Sequence, residues 1–278
     1  MRTIKIGGSY SGKISTGSYE NANPGFYVDE TIDDCQMTDA QVAERLAFWN
    51  KMCFDKFKEA EQDAIRERIE RERRDLRIIK GEDGRLYPSV TSIINFDADF
   101  FVSQEELIQY AAQGNIIDAR VKEFIKTGNW VEPKALQDVW TDIVICAKGS
   151  LALSTDVGDF PAFLKKYPIT QMKCGERLRN EEYLYCGEND FIGIPDFKDA
   201  EKVMTVFDVK RTADKVKNGL QLAAYAKMLG VKQGIICQIN DKTEQGFSKP
   251  IVYDEKTLDG YFLMFTRKRN AFKARYGI

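Results

Sequence analysis

At 278 residues the chain is long enough for one large domain, or a domain with an appendage, around a substantial core. Its 43% hydrophobic and 30% charged residues are those of a soluble globular protein, and no apolar run approaches the length of a membrane span. A formal net charge of −2 excludes a strongly basic nucleic-acid binder while leaving room for a local basic surface, such as Arg267, Lys268, Arg269, Lys273 and Arg275 in the last helix.

Residues 1–37 read as a flexible arm rich in glycine and serine. Gly7-Gly8-Ser9-Tyr10-Ser11-Gly12-Lys13 has the glycine and lysine spacing of a phosphate-binding loop after a strand-like start. However, Ile14 stands where the metal-binding hydroxyl belongs, and Gly17, Asn21, Asn23 and Pro24 prevent the helix that would cradle phosphate, so no nucleotide site is expected. Thr38-x-x-Gln41 is a capping box opening a long helix, along which Val42, Leu46, Trp49, Cys53, Phe57, Ala60 and Ala64 form one apolar stripe. The sequence then becomes densely charged, and residues 38–84 read as a charged helical extension that ends in a hairpin around Glu82-Asp83-Gly84.

Residues 85–278 form the remaining segment. Ser103-x-x-Glu106 caps a helix that Gly114 is expected to break, residues 116–126 form the next helix, and 133–147 another. Strands are expected at 169–173, 182–186, 191–195, 202–209, 233–239 and 250–253, with Gly187-Glu188-Asn189-Asp190 as the hairpin between the second and third. A helix at 218–229 crosses between the strands ending at 209 and starting at 233, which makes those two parallel. A last helix covers 255–276. The fold class is therefore α/β in the α+β sense, with a central mixed β-sheet flanked by helices and a helical N-terminal extension.

One stretch concentrates the chemistry. Positions two apart in a strand share a face, so Asp208 and Lys210 project together. The preceding strand ends at Asp196, and antiparallel pairing is expected to bring it close to Asp208 and Lys210. Two carboxylates and an ammonium suit a hard divalent cation such as Mg2+, with phosphodiester hydrolysis as the natural reaction. Gln221 and Tyr225, four apart on the following helix, lie on one face and are expected to brace the lysine or contact nucleic acid. The six cysteines, at 35, 53, 146, 174, 186 and 237, include no Cys-x-x-Cys pair, and the chain has no histidine, so no zinc site is expected.

The order Gly193-x-x-Asp196, Asp208-x-Lys210, Gln221-x-x-x-Tyr225 resembles the PD-(D/E)XK nucleases, in particular their RecB-like branch, which includes phage and bacterial DNA exonucleases. The resemblance covers roughly 85–278, and Pro88-Ser89-Val90-Thr91-Ser92 is similar to a stretch near the start of several phage members. It implies a restriction-endonuclease-like core and an Mg2+- or Mn2+-dependent DNA exonuclease of phage recombination or DNA-processing type. An endonuclease or flap nuclease, or a DNA-end-binding protein without catalysis, are the alternatives on the same core. Where the family often carries Gly-x-x-x-His before the sheet, this chain has Gly114-x-x-x-Asp118, and aspartate is a competent ligand for the same ions. The ligand set implied is Asp118, Asp196, Asp208 and Val209. A glutamate at the start of the hairpin would be Glu182, with Glu176 and Glu181 competing. An iron–sulfur cluster needs a cysteine trio near the C-terminus, where this chain has only Cys237, so none is expected. The resemblance further implies DNA as partner and leaves room for a homo-oligomer or a single-strand-annealing partner protein. With no membrane-length apolar run and no basic start followed by an apolar signal core, the expected place is away from membranes, in the cytoplasm of a bacterium or phage-infected cell.

Overall fold

A computed structural model describes residues 3–11, 14–15, 21–22, 24–33, 38–98, 104–136, 158–240 and 243–278. The chain divides into two compact units that meet between Leu76 and Arg77.

In the first unit β1 (Thr3–Ser11) leads through the two-residue strands β2 (Ile14–Ser15) and β3 (Asn21–Ala22) to β4 (Gly25–Asp33). The arm expected to be flexible thus contains a long antiparallel ladder, with β1 and β4 in continuous register from Thr3↔Asp33 to Ser11↔Gly25. Helix α1 (Asp39–Arg74) follows and packs on this ladder. Its Thr38–Gln41 capping box forms as the sequence suggests, and the apolar stripe buries Cys53 and Phe57. Leu46 of that stripe stays exposed.

The second unit begins with the hairpin β5 (Ile78–Lys80) and β6 (Leu86–Pro88), followed by α2 (Val90–Asn95), which Ser89 caps. Helix α3 (Gln104–Thr127) runs straight through Gly114. A helical glycine costs about 1 kcal/mol relative to alanine, but Ala112, Ile116, Ile117 and Val121 are buried around it at helical spacing, and their packing carries the helix past the weak point. The helix expected at 133–147 is a single 3₁₀ turn at Pro133–Ala135 in its described part, and the rest of that expectation lies outside the described residues.

Then come α4 (Phe160–Lys166), β7 (Ile169–Cys174), β8 (Arg177–Asn180), β9 (Tyr185–Glu188), β10 (Phe191–Pro195), β11 (Thr205–Lys210), α5 (Lys215–Leu229), β12 (Gly234–Gln238), β13 (Ile251–Tyr253) and α6 (Glu255–Tyr276). Five of these strands form one sheet in the order β13-β12-β11-β10-β7, with β11 and β12 parallel and the other pairs antiparallel. The fold is α+β, and the parallel pair is linked by α5 as the crossover rule requires. The expected hairpin at 187–190 does not exist. β9 pairs with β8 in a separate ribbon, and residues 189–190 pass from that ribbon into the main sheet.

Alternation along the strands divides the sheet into two faces. One carries Phe191, Phe207, Val209, Ile235 and Cys237 into a core closed by Ile116, Ile117 and Val121 of α3 and by Phe160 and Phe163 of α4. Phe191 and Phe207 stack across the β10–β11 pair with centroids 4.6 Å apart. The other face lies under α5 and α6, where Gly234 meets Leu222 and Leu258. Gly234 is level with Val206, and Ile236 with Asp208, so Asp208 projects into that face.

Candidate active site

The chemistry gathers where β10 stops pairing with β11. The ladder begins at Phe191↔Phe207, so one step further places Asp190 level with Asp208. Asp190 is held there from both sides: its carbonyl accepts from Gly175 N–H (2.9 Å), and its Oδ2 accepts from Val209 N–H (2.6 Å). The latter bond replaces the ladder bond that β10 no longer supplies. The carbonyl of Val209 faces the same side, because the N–H and C=O of one residue point the same way along a strand.

Asp208 is fully buried. Its Oδ1 accepts from Lys210 Nζ at 2.7 Å, the contact expected for residues two apart on one strand face, while its Oδ2 is buried with no hydrogen-bond partner. Asp118 arrives from α3. Its Oδ2 pairs with Lys122 Nζ at 3.0 Å, one helical turn on, and its Oδ1 is a second buried oxygen without a partner. Lys122 also reaches Glu188 at 2.9 Å. Two orphaned carboxylate oxygens in one site are costly unless a cation or proton meets them.

The electrostatics record that cost. Burial, with the neighbouring Asp190 and Asp118 charges, pushes the Asp208 carboxyl up to about 7 despite the pull of Lys210. Burial and Asp190 lift Asp118 to about 6 against Lys122. For Lys210, burial works against the charge, but Asp208 and Asp190 outweigh it and the ammonium is held above its ordinary value. Lys210 is therefore a fixed cation at neutral pH.

Tyr225 sits beneath these groups, nearly fully buried, its hydroxyl accepting from Gln221 Nε2 at 3.2 Å. Burial and the Asp208, Asp190 and Glu188 charges keep the phenol protonated. Its ring packs against Gly187, where an added Cβ would stand 2.5 Å from Tyr225 Cε1, so the chain reaches Asp190 only with glycine at this position. Arg211 donates to Gln113 of α3 and ties the end of β11 to that helix.

The structure thus brings together Asp118, Asp208, Val209, Lys210, Gln221 and Tyr225. It does not bring Asp196 or Glu182. The same register that sets Asp190 beside Asp208 carries Asp196 to the far end of β10, level with Lys202, to which it is ion-paired in solvent at 2.8 Å. Gly193, read as part of the motif with Asp196, instead serves a bulge: the β7 register shifts opposite it, Gln171 takes φ +51°, and a Cβ on Gly193 would fall 2.8 Å from Ile169 Cγ2. Glu182 is exposed in the turn between β8 and β9, and of its competitors Glu181 accepts from the Tyr87 hydroxyl while Glu176 pairs with Lys173 on the surface. Asp190, Glu188 and Lys122 are site residues that the sequence motif does not single out. The available signal was Gly187-x-x-Asp190, which repeats the Gly-x-x-Asp spacing six residues before the pair chosen.

Among the described residues no three or more His, Cys, Asp or Glu side chains converge into a ready-made metal cage, and ammonium groups are seated on three of the site's carboxylates, Lys122 on Asp118 and Glu188 and Lys210 on Asp208. The donor set nevertheless fits a hard divalent ion. It is all oxygen, two of its atoms lack partners, and Mg2+ binds through one or two carboxylates while keeping several waters.

In comparisons with known proteins, no family profile and no curated protein matches the sequence. Among solved structures, the crystal structure of SSO0001 aligns over 63% of this chain and 89% of its own, with 13% identity and a TM-score of 0.21, too low to carry an argument. Among the described residues no helix is long and apolar enough to cross a membrane.

Proposed function

We propose that this chain is a divalent-metal-dependent deoxyribonuclease of the RecB-like PD-(D/E)XK type, acting as an exonuclease. The observation that carries this reading is the pair of buried, partnerless oxygens, Asp208 Oδ2 and Asp118 Oδ1, beside Asp190 and next to the fixed ammonium of Lys210. Asp118, Asp190 and Asp208 would hold Mg2+ or Mn2+, with the Val209 carbonyl turned to the same place. Such an ion, when bound, supplies positive charge to phosphate oxygens and makes water more acidic.

The remaining roles belong to the chain itself. Lys210 places a cation within reach of the Asp208 carboxylate and neutralises charge that builds on the phosphate as the bond to the leaving oxygen breaks. Paired with Asp208, its ammonium is placed to orient water or phosphate. The Gln221–Tyr225 pair props the floor of the site and keeps Gly187 and Asp190 in register.

End-labelled linear DNA and closed circular DNA, each with Mg2+ and with EDTA, test the reading. Metal-dependent loss of the linear substrate alone is expected. Cutting of the circle would make the protein an endonuclease, and DNA binding without any cleavage would leave it an end-binding protein.

A further inference from the structure

The site contains a cation of its own that the reaction above does not use. Lys122 Nζ lies 3.0 Å from Asp118 Oδ2 and 2.9 Å from Glu188 Oε1, so one ammonium bridges carboxylates from two elements, α3 and β9. Its side chain is only 24% exposed. A divalent ion bridging the same two carboxylates would occupy the same place.

The groups that act on one another are four carboxylates, Asp118, Glu188, Asp190 and Asp208, and two ammoniums, Lys122 and Lys210. With all four carboxylates ionised, the excess of two negative charges is neutralised by one divalent cation. A second would leave an equal positive excess beside the fully buried Asp208, which is unfavourable. Asp118 is divided, with Oδ2 given to Lys122 and Oδ1 left open, and Asp208 Oδ2 is the other open atom.

We infer that Lys122 fills the second cation position of this site as a built-in ammonium, so that the protein takes one divalent ion rather than two. The inference rests on the metal-dependent reading above. Lys122 is a positioning residue here: it orients Asp118 and excludes a competing ion.

Titration of the full-length chain with Mn2+ at pH 8, followed by calorimetry and by the paramagnetic resonance signal of free Mn2+, measures the stoichiometry directly. Wild type and Lys122→Arg are expected to bind one equivalent, and Lys122→Ala, which frees both carboxylates and the space between them, to bind a second and weaker one. Two equivalents in wild type overturn the proposal while leaving the metal reading intact. No binding in wild type overturns both together. A single equivalent in a Lys122→Ala protein with undiminished helical circular dichroism also refutes it. Should Lys122→Ala fail to fold, the stoichiometries of wild type and Lys122→Arg still decide the matter.

Discussion

Exchanging Asp190 for asparagine and, separately, Asp196 for asparagine separates two carboxylates that share the same local spacing but not the same surroundings. The Asp190→Asn amide oxygen still accepts the Val209 N–H, so the strand ends stay in place, but the charge beside the partnerless Asp208 and Asp118 oxygens is gone. Losing one charged metal contact removes several kcal/mol of transition-state stabilisation; about 4 kcal/mol, at about 1.36 kcal/mol per decade, is roughly a thousandfold in rate. Asp196 pairs with Lys202 in solvent, the two side chains being 51% and 66% exposed. An exposed pair is worth at most about 1 kcal/mol, so Asp196→Asn is expected to change the rate by less than about sixfold. Single-turnover cleavage of end-labelled DNA in Mg2+, with thermal unfolding as a check on the fold, measures both. A near-normal Asp190→Asn, or an Asp196→Asn that loses activity while folded, would refute the assignment.

Lys210→Ala should lower turnover by about a hundredfold or more while leaving DNA affinity within about threefold, because its cation acts on developing charge; an equal loss of affinity would make it a binding residue. Gly187→Ala places a methyl 2.5 Å from the Tyr225 ring and should cost about 1–3 kcal/mol of stability, read from chemical denaturation. Phe207→Ala removes half of the stacked cross-strand pair and should cost about 3–5 kcal/mol in the same assay. The raised carboxyl of Asp208 has a definite sign: a carboxyl held up to about 7 in the folded state favours folding below about pH 4, and that contribution is lost as the pH rises to about 7. Metal-free wild type should therefore lose stability relative to Asp208→Asn between pH 4 and 7, and Mg2+ should raise the wild-type melting temperature more at pH 8 than at pH 5.

Much of the site could be read from the chain because its signals are local. Asp208 and Lys210 share a face through strand alternation alone, the parallel β11–β12 pair follows from the α5 crossover, and α6 has the expected bounds with Asp254 as its cap. What the sequence did not reveal is register. The link between β10 and β11 is charged and aperiodic, and nothing in residues 196–204 fixes which aspartate lies opposite Asp208; the Phe191–Phe207 stack does so, and it is a long-range contact. The misplaced hairpin at 187–190 has a related cause, since turn-forming residues there mark a passage between two sheets as readily as a turn within one. Local propensity argues for a break at Gly114, whereas the buried residues on either side of it decide the outcome. The ladder of β1 and β4 was hidden by glycine and serine, whose preference for loops is overridden by continuous pairing.

A crystal of the protein soaked in Mn2+ and measured at a wavelength where manganese scatters anomalously tests the central claim most directly. The account predicts one strong peak within bonding distance of Asp208 Oδ2 and Asp118 Oδ1, next to Asp190. A peak at Asp196, or none at the three carboxylates in a crystal whose active site is open to solvent, would contradict it.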